Sequence, residues 1–266
     1  MTSSFVILPD RAVLALSGPD TRTFLHGLVT QNVETVRGDR AAYACLLTPQ
    51  GKITADFVLL EHNDAVLLEC DSSVAGAILK KLQLYKLRAD LNIVDVSNDW
   101  QVAASWDGDD VALPDGTRSF QDPRLIELGH RHLLPRSAQV KSTDAAAYER
   151  HRLRLGVPQF GKDFSADQAF AMDVNIDVLG GMDYKKGCFV GQEVASRMKR
   201  KGTVRKRTWL AFVEYSAPGV TVLSGDSTIG EITSGLDQTC LVRVRLDRLA
   251  QASEPLLTSD GKPVRL

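Results

Sequence analysis

Short apolar runs dominate the first hundred residues, and their spacing sorts them into strands and two helices. Residues 12–16, 42–47, 53–60 and 65–70 read as strands, with Thr48-Pro49-Gln50-Gly51 as the turn between the second and third. Ser17-Gly18-Pro19-Asp20 turns into a short helix through Thr23, Phe24 and Leu25, with Pro19 near its start. Ser72 is placed to cap a second helix, because Val74, Ile78, Leu82 and Tyr85 recur at helical spacing. Residues 91–96 form a further strand. The order β-α-β-β-β-α-β predicts helices on one face of a largely antiparallel sheet, an α+β rather than a doubly wound arrangement.

Beyond residue 100 the pattern predicts strands near Leu125 and Leu133 and a helix over 144–155 that stops at Gly156 and Pro158. After Arg205 it becomes strand-like and turn-rich, at 208–214, 219–223, 230–234 and 241–246, which predicts a small β-barrel or sandwich. Three units follow: an N-terminal α+β part over 1–100, a second α+β part over 101–202, and a C-terminal barrel over 203–266. Repeats and low-complexity linkers are absent, so the units are expected to share interfaces.

Composition narrows the class. With 266 residues, 44% hydrophobic and 24% charged, the chain reads as an ordinary soluble globular protein; collagen, disorder and a disulfide-stapled miniprotein are excluded. The net charge of −1 conceals two blocks. Residues 89–117 hold seven Asp and no Lys or Arg, whereas residues 197–207 hold seven basic side chains and no acid. Cys45, Cys70, Cys188 and Cys240 are scattered without Cys-x-x-Cys spacing, so neither a zinc site nor a disulfide framework is expected. His130 and His132 read as a solvated pair. Residues 1–10 lack a basic n-region and an Ala-x-Ala site, and no run approaches the roughly 18 apolar residues of a membrane span. A reducing cytosol and no membrane partner are the expectation.

One segment concentrates chemistry: Tyr184-Lys185-Lys186-Gly187-Cys188-Phe189-Val190-Gly191-Gln192-Glu193-Val194. Two glycines four apart allow close backbone approach, and a helix is expected from about Phe189 to Met198. That would put Cys188 at a helix N-terminus beside Lys185 and Lys186, where dipole and charge favour the thiolate. The alternative is a small apolar cysteine buried in a tight turn.

Residues 186–193 match K-G-C-[aromatic]-x-G-Q-E, and this stretch resembles the signature of the YgfZ family. Its members are folate-binding proteins that assist iron–sulfur cluster assembly and are similar to the glycine-cleavage T-protein. Phe24-Leu25-His26-Gly27-Leu28-Val29-Thr30-Gln31-Asn32-Val33 resembles the family's F-L-x-G-x-V-T-x-D/N-V segment. Gly51-Lys52-Ile53, residues 148–158, the Asn175 segment and the basic run with Gly202 extend the likeness over residues 11–210.

The resemblance implies a three-unit cloverleaf around a central hole that binds tetrahydrofolate. It makes Cys188 the reactive thiol, Lys186 its electrostatic partner, and Gly187 and Gly191 the turn-formers, with Gln192 and Glu193 orienting the loop or meeting the ligand. Tyr148, Arg152 and Asn175 are the implied folate contacts. Tyr148 and Arg152, one helical turn apart, could clamp a carboxylate and stack on a flat ring; a core Tyr148 and a snorkelling Arg152 are the other reading. Glu127 is aligned with the acid that reads the pterin. Where the T-protein has an acid pair, Gly51-Lys52-Ile53-Thr54-Ala55-Asp56 keeps only Asp56, which weakens the case for aminomethyl transfer. Clusters usually take four thiolates, so one cysteine implies no resident metal site and at most an iron–sulfur cluster that is transient, shared with a partner or completed by groups of the folate site.

For the basic run the reading favoured over a plain solvated face is an electrostatic funnel for the glutamate tail of folate or an acidic partner. Nucleic acid is disfavoured because no aromatics interleave. The expectation is a cytosolic, monomeric tetrahydrofolate-binding protein that helps assemble or repair iron–sulfur clusters in client enzymes, including tRNA-modifying ones. Its partners would be folate, assembly proteins and clients. A folate-dependent aminomethyltransferase and a structural adaptor are the alternatives, and the acidic block has no assigned role beyond solubility.

Overall fold

The computed structural model describes residues 4–108, 111–202, 204–214 and 217–266. Asp109 and Asp110 of the acidic block, Thr203 at the start of the expected barrel unit, and Met1–Ser3 of the N-terminal stretch lie outside the described residues.

Strand β1 (Ser4–Ile7) opens the chain. Then come β2 (Arg11–Ser17), α1 (Thr21–Leu28), β3 (Ala42–Leu47), β4 (Ile53–His62), β5 (Ala65–Asp71), α2 (Ser72–Lys86) and β6 (Asn92–Asp95), in the expected order. The five strands pair antiparallel as β3-β4-β5-β2-β6. Leu14, Leu16, Phe57, Leu59 and Leu68 point to the helices and pack with Leu25, Ile78 and Leu82. Alternate residues point the other way. The registers Cys45↔Asp56, Val58↔Glu69 and Val13↔Glu69 put two carboxylates on that second face beside Val13, Tyr43 and Cys45. Ser72 does not cap α2. Asp71 does, its Oδ1 accepting from the Ser73 N–H at 3.0 Å, because the chain turns helical one residue earlier than expected.

The second sheet is β1-β7-β9-β8, from β7 (Trp100–Trp106), β8 (Arg118–Gln121) and β9 (His130–Pro135). β1 pairs with β7, Val6 opposite Ala104, so residues 4–7 belong to this sheet and not to the 1–100 unit that the sequence suggested. Leu125 is not in a strand. Residues Ile126–Leu128 make a 3-10 turn, which Gly129 closes at φ +80° against the Ser105 carbonyl. His132 is buried rather than solvated. Its ring nitrogens meet Ser105 Oγ at 2.9 Å and Ser119 Oγ at 2.8 Å, and burial pushes its pKa down to about 4.

Helix α3 (Ala145–Arg154) ends at Gly156, φ +68°. After a loop-rich stretch and α4 (Gln192–Lys201), the C-terminal sheet is β14-β11-β12-β13-β10-β15. Its strands are β10 (Lys206–Val213), β11 (Thr221–Ser224), β12 (Ser227–Leu236), β13 (Thr239–Arg245), β14 (Leu256–Thr258) and β15 (Val264–Arg265). A bridge between Leu257 and Pro263 joins the two edges into a barrel around Val222, Ile232, Val242 and Val244, which leaves no long open edge among the described residues.

Candidate functional site

The loop carrying Lys186 to Gln192 is fastened to two distant segments. Gly191 is the N-cap of α4 at φ +81°, and a Cβ there would lie 2.6 Å from the Thr48 carbonyl oxygen. Gly51, φ +78°, meets Val194 of α4 in the same manner. The two glycines let the loop sit directly on the β3–β4 turn. Phe189 anchors it in the main core. On the other side, Thr30 Oγ1 donates to the Gly181 carbonyl at 2.6 Å, and the Asp183 N–H donates to the Thr30 carbonyl at 2.9 Å. The Phe24–Val33 and Lys186–Glu193 motifs are therefore neighbours in space.

Lys186 is buried, and its Nζ donates to the carbonyls of His26 and Val29, the latter at 2.9 Å. These lie at the C-terminal end of α1, where carbonyls lack helical partners and a cation is favoured. Burial pushes the Lys186 pKa down to about 8, with Asp183 and then Cys188 opposing. The side chain chosen as the thiol's electrostatic partner is thus committed to closing a helix, although it still feels Cys188. Cys188 itself is exposed, unlike Cys45, Cys70 and Cys240. It precedes the α4 N-cap by three residues, so the helix-terminus argument does not apply; Phe189 and Val190 are needed to turn the chain before the helix begins. Gln192 Nε2 reaches the Gly187 carbonyl at 3.4 Å and steadies the loop, while Glu193 is exposed in the first turn of α4.

Sequence reasoning missed His26. Its Nε2 lies 3.9 Å from where a Gly187 Cβ would stand, its Nδ1 is buried without a partner among the described residues, and burial, then Lys186, lowers its pKa. It fills a variable position of its motif, so no local signal marked it.

The residues assigned to folate do not converge. Tyr148 is buried, its hydroxyl accepting from Arg124 at 3.0 Å and Arg131 at 3.1 Å. Those arginines belong to a charged layer between the first two sheets. Arg131 grips Glu69 at 2.9 and 3.0 Å and Asp122 at 2.9 Å; Arg124 grips Asp122 at 2.9 and 2.7 Å; Arg11 also pairs with Glu69. Burial opposes ionisation of Asp122, yet Arg124 and Arg131 outweigh it and hold the carboxyl well below its usual range. The cleft beside Tyr148, Arg11 and Arg131 holds about 60 Å³. A ligand of folate size needs roughly 300 Å³ or more, so these residues do not fit tetrahydrofolate as they stand.

Arg152 enters a different knot. It donates to Asp163 Oδ2 at 2.7 Å, Glu149 Oε2 at 2.9 Å, the Val157 carbonyl at 3.0 Å and Ser234 Oγ at 3.3 Å, tying α3 to β12. Asn175, left-handed at φ 62°, donates to the Thr208 carbonyl at 2.6 Å and fixes the barrel's first strand. Glu127 is exposed, and Asp122 is the interior acid in its stead. Asp56, kept from the acid pair, is buried with Oδ2 accepting from Tyr43 Oη at 2.6 Å, and burial raises its pKa. Among the described residues no cluster of three or more His, Cys, Asp or Glu side chains could hold a metal ion, and no helix is long and apolar enough to cross a membrane.

The glycine-cleavage aminomethyltransferase T from Bartonella henselae has the same fold, with a TM-score of 0.79 over 98% of this chain and 84% of that one at 15% identity. Residues 200–266 match the family model described as CAF17, C-terminal beta-barrel domain. Human "Iron-sulfur cluster assembly factor IBA57, mitochondrial" is 31% identical over 86% of this chain and 73% of its own length. The homologue from Pyricularia oryzae is 30% identical over 98% and 75%. The chain belongs to the IBA57 family of iron–sulfur cluster assembly factors. The IBA57 name refines the YgfZ resemblance. The chain spans 55% of the length of the IBA57 homologue from Mycosarcoma maydis, to which it is 30% identical. The cytosolic expectation is overturned: these IBA57 relatives are named as mitochondrial proteins.

Proposed function

We propose that the chain assists iron–sulfur cluster assembly through Cys188, which meets the cluster while a partner protein supplies the other ligands. The observation that carries this reading is the contrast among the cysteines. Three are buried, and the fourth stands exposed on a loop that Lys186, Phe189 and Gly191 hold in place. A rigid loop presenting one thiolate suits a shared cluster, since one cysteine leaves coordination positions for the partner. Recipient enzymes, tRNA-modifying ones included, are the clients in this reading. Tetrahydrofolate has no part in it at Tyr148 and Arg152, whose polar atoms are engaged with protein.

The test is complementation in cells depleted of their own IBA57-type factor. Wild type is expected to restore iron–sulfur enzyme activities and Cys188→Ser to fail, with equal melting behaviour of the two proteins. Full rescue by the serine variant refutes the thiol role and leaves the structural adaptor. Calorimetric titration with tetrahydrofolate is expected to give the same result for wild type and Tyr148→Phe; binding that is lost in the phenylalanine variant would overturn the exclusion of folate from that residue. An aminomethyltransferase is the poorer reading, because Asp56 is held against Tyr43 in the interior.

A further inference from the structure

Helix α2 carries no acidic residue, and its C-terminal end puts leucines into solvent. Ala75, Ile78 and Leu82 face the first sheet. Lys80 and Leu84, one turn apart on the opposite side, are exposed, Leu84 at 72%. Leu87, which ends the helix, is 88% exposed. Lys81 donates to Thr54 Oγ1 at 3.0 Å, whereas Lys80, Lys86 and Arg88 have neither an ion pair nor a side-chain hydrogen bond among the described residues.

Leu87 also holds a backbone conformation that suits glycine. The Ala89 N–H donates to the Lys86 carbonyl at 2.8 Å, closing a turn in which Leu87 has φ +46° and ψ −106°. That is the first central position of a type II′ turn, where glycine is the usual residue because a Cβ is crowded there. Glycine would relieve the strain, and a side chain so exposed has few neighbours in the fold to offset it. What the leucine gains lies outside the chain.

We propose that the end of α2 rests on an anionic lipid surface, with Leu84 and Leu87 entering the boundary between head groups and acyl chains and Lys80, Lys86 and Arg88 meeting the head groups. Charge sets the choice of occupant: long unpaired cations around two leucines match a diffuse negative surface, which needs no fixed carboxylate opposite each one. A stable protein interface covers about 800 Å² on each side around a packed centre, while a lipid surface asks only for side chains that reach it. The half-buried Tyr85 joins an apolar body to a polar tip, as side chains at such boundaries do. Asp20 and Asp90 are the acids beside this turn. The Asp90 N–H donates to Asp20 Oδ2 at 2.7 Å, which holds the Asp20 carboxylate to its own loop. The expectation of no membrane partner rested on the want of a spanning segment, and a surface contact needs none. This contact uses none of the atoms on which the Cys188 reading rests, so either can fail alone.

The experiment is cosedimentation of the full chain with sucrose-loaded vesicles of phosphatidylcholine, alone and with about 30% phosphatidylserine. Wild type is expected to bind the anionic vesicles at least about tenfold more tightly than the neutral ones, and to be released by high salt. Leu84→Ser and Leu87→Gly should each weaken that binding about tenfold or more, as should Lys80→Gln combined with Arg88→Gln. Leu87→Gly is also expected to unfold in urea at the midpoint of wild type or above it, which separates lost contact from lost fold. Val178→Ser, as exposed as Leu84 but on the segment before Gly180, should bind as wild type does, and so should Cys188→Ser. Equal sedimentation with the two kinds of vesicle, none included, overturns the proposal and leaves the leucines to a protein partner. Anionic binding unchanged in both leucine variants also overturns it and assigns the contact to the basic run at 197–207.

Discussion

Replacing Arg152 with methionine keeps the aliphatic stem and deletes the guanidinium. In the native chain that group is fully buried and holds Asp163, Glu149, the Val157 carbonyl and Ser234 together. Without it Asp163 keeps its bonds from Thr233 Oγ1 at 2.6 Å and the Gln159 N–H at 2.9 Å, but its charge loses its only ion-pair partner among the described residues. Removing one partner of a buried pair costs about 3–5 kcal/mol; the surviving donors put this case near the lower end, about 3 kcal/mol. At a urea slope of about 3 kcal/mol/M the unfolding midpoint should fall by about 1 M. Adding Asp163→Asn removes the stranded charge and keeps acceptors for Thr233 and Ser234, so the double variant should recover about 1–2 kcal/mol. Urea unfolding of the four proteins of this cycle decides the matter. A single variant within about 0.5 kcal/mol of wild type would show that Arg152 does not tie α3 to the barrel, and would return it to the folate clamp.

Iodoacetamide on the native chain followed by mass spectrometry should label Cys188 alone, because burial pushes Cys45 and Cys70 up to about 12 and Cys240 up to about 11; labelling of a second cysteine before unfolding contradicts the burial argument. Lys186 is pushed down from 10.5 to about 8, so between those pH values the unfolded state binds more protons and this residue's contribution to stability rises with pH. The urea midpoint of wild type minus that of Lys186→Met should therefore increase from pH 7 to about pH 10, and a constant difference refutes the shift. Gly191→Ala places a methyl 2.6 Å from the Thr48 carbonyl at φ +81° and should cost about 1–3 kcal/mol and abolish rescue in cells; an alanine variant as stable and active as wild type would mean the loop is not seated on the β3–β4 turn.

Much of the fold was legible. The first unit's β-α-β-β-β-α-β order was readable because each element carries its own period and the breaks fall at Gly and Pro. Barrel strands β10 to β13 were readable for the same reason, whereas β14 and β15, three and two residues long, were not. β1 was not assigned, since four residues with no periodicity cannot declare which sheet they join; β7, nearly a hundred residues later, decides it. The helix of the Lys186–Glu193 motif was expected to start three residues early, at Phe189, whose ring is needed in the core before the turn at Gly191.

The site divides along the same line. The cysteine, the glycines around it and the helix that follows are consecutive, so composition and spacing exposed them. Charged partners are not consecutive. Asp122 and Glu69 lie 53 residues apart, and both are stabilised by Arg131 only because two sheets face each other. Tyr148 and Arg152 occupy adjacent turns of one helix, where either role was open, until the sheets and the barrel supplied separate partners. By itself the sequence determined which segments become strands and helices and which thiol stands in a conspicuous motif. Tertiary structure decided which polar groups are engaged with one another and which stay available, because long-range pairing of buried charge depends on what packs opposite and leaves no trace in local pattern.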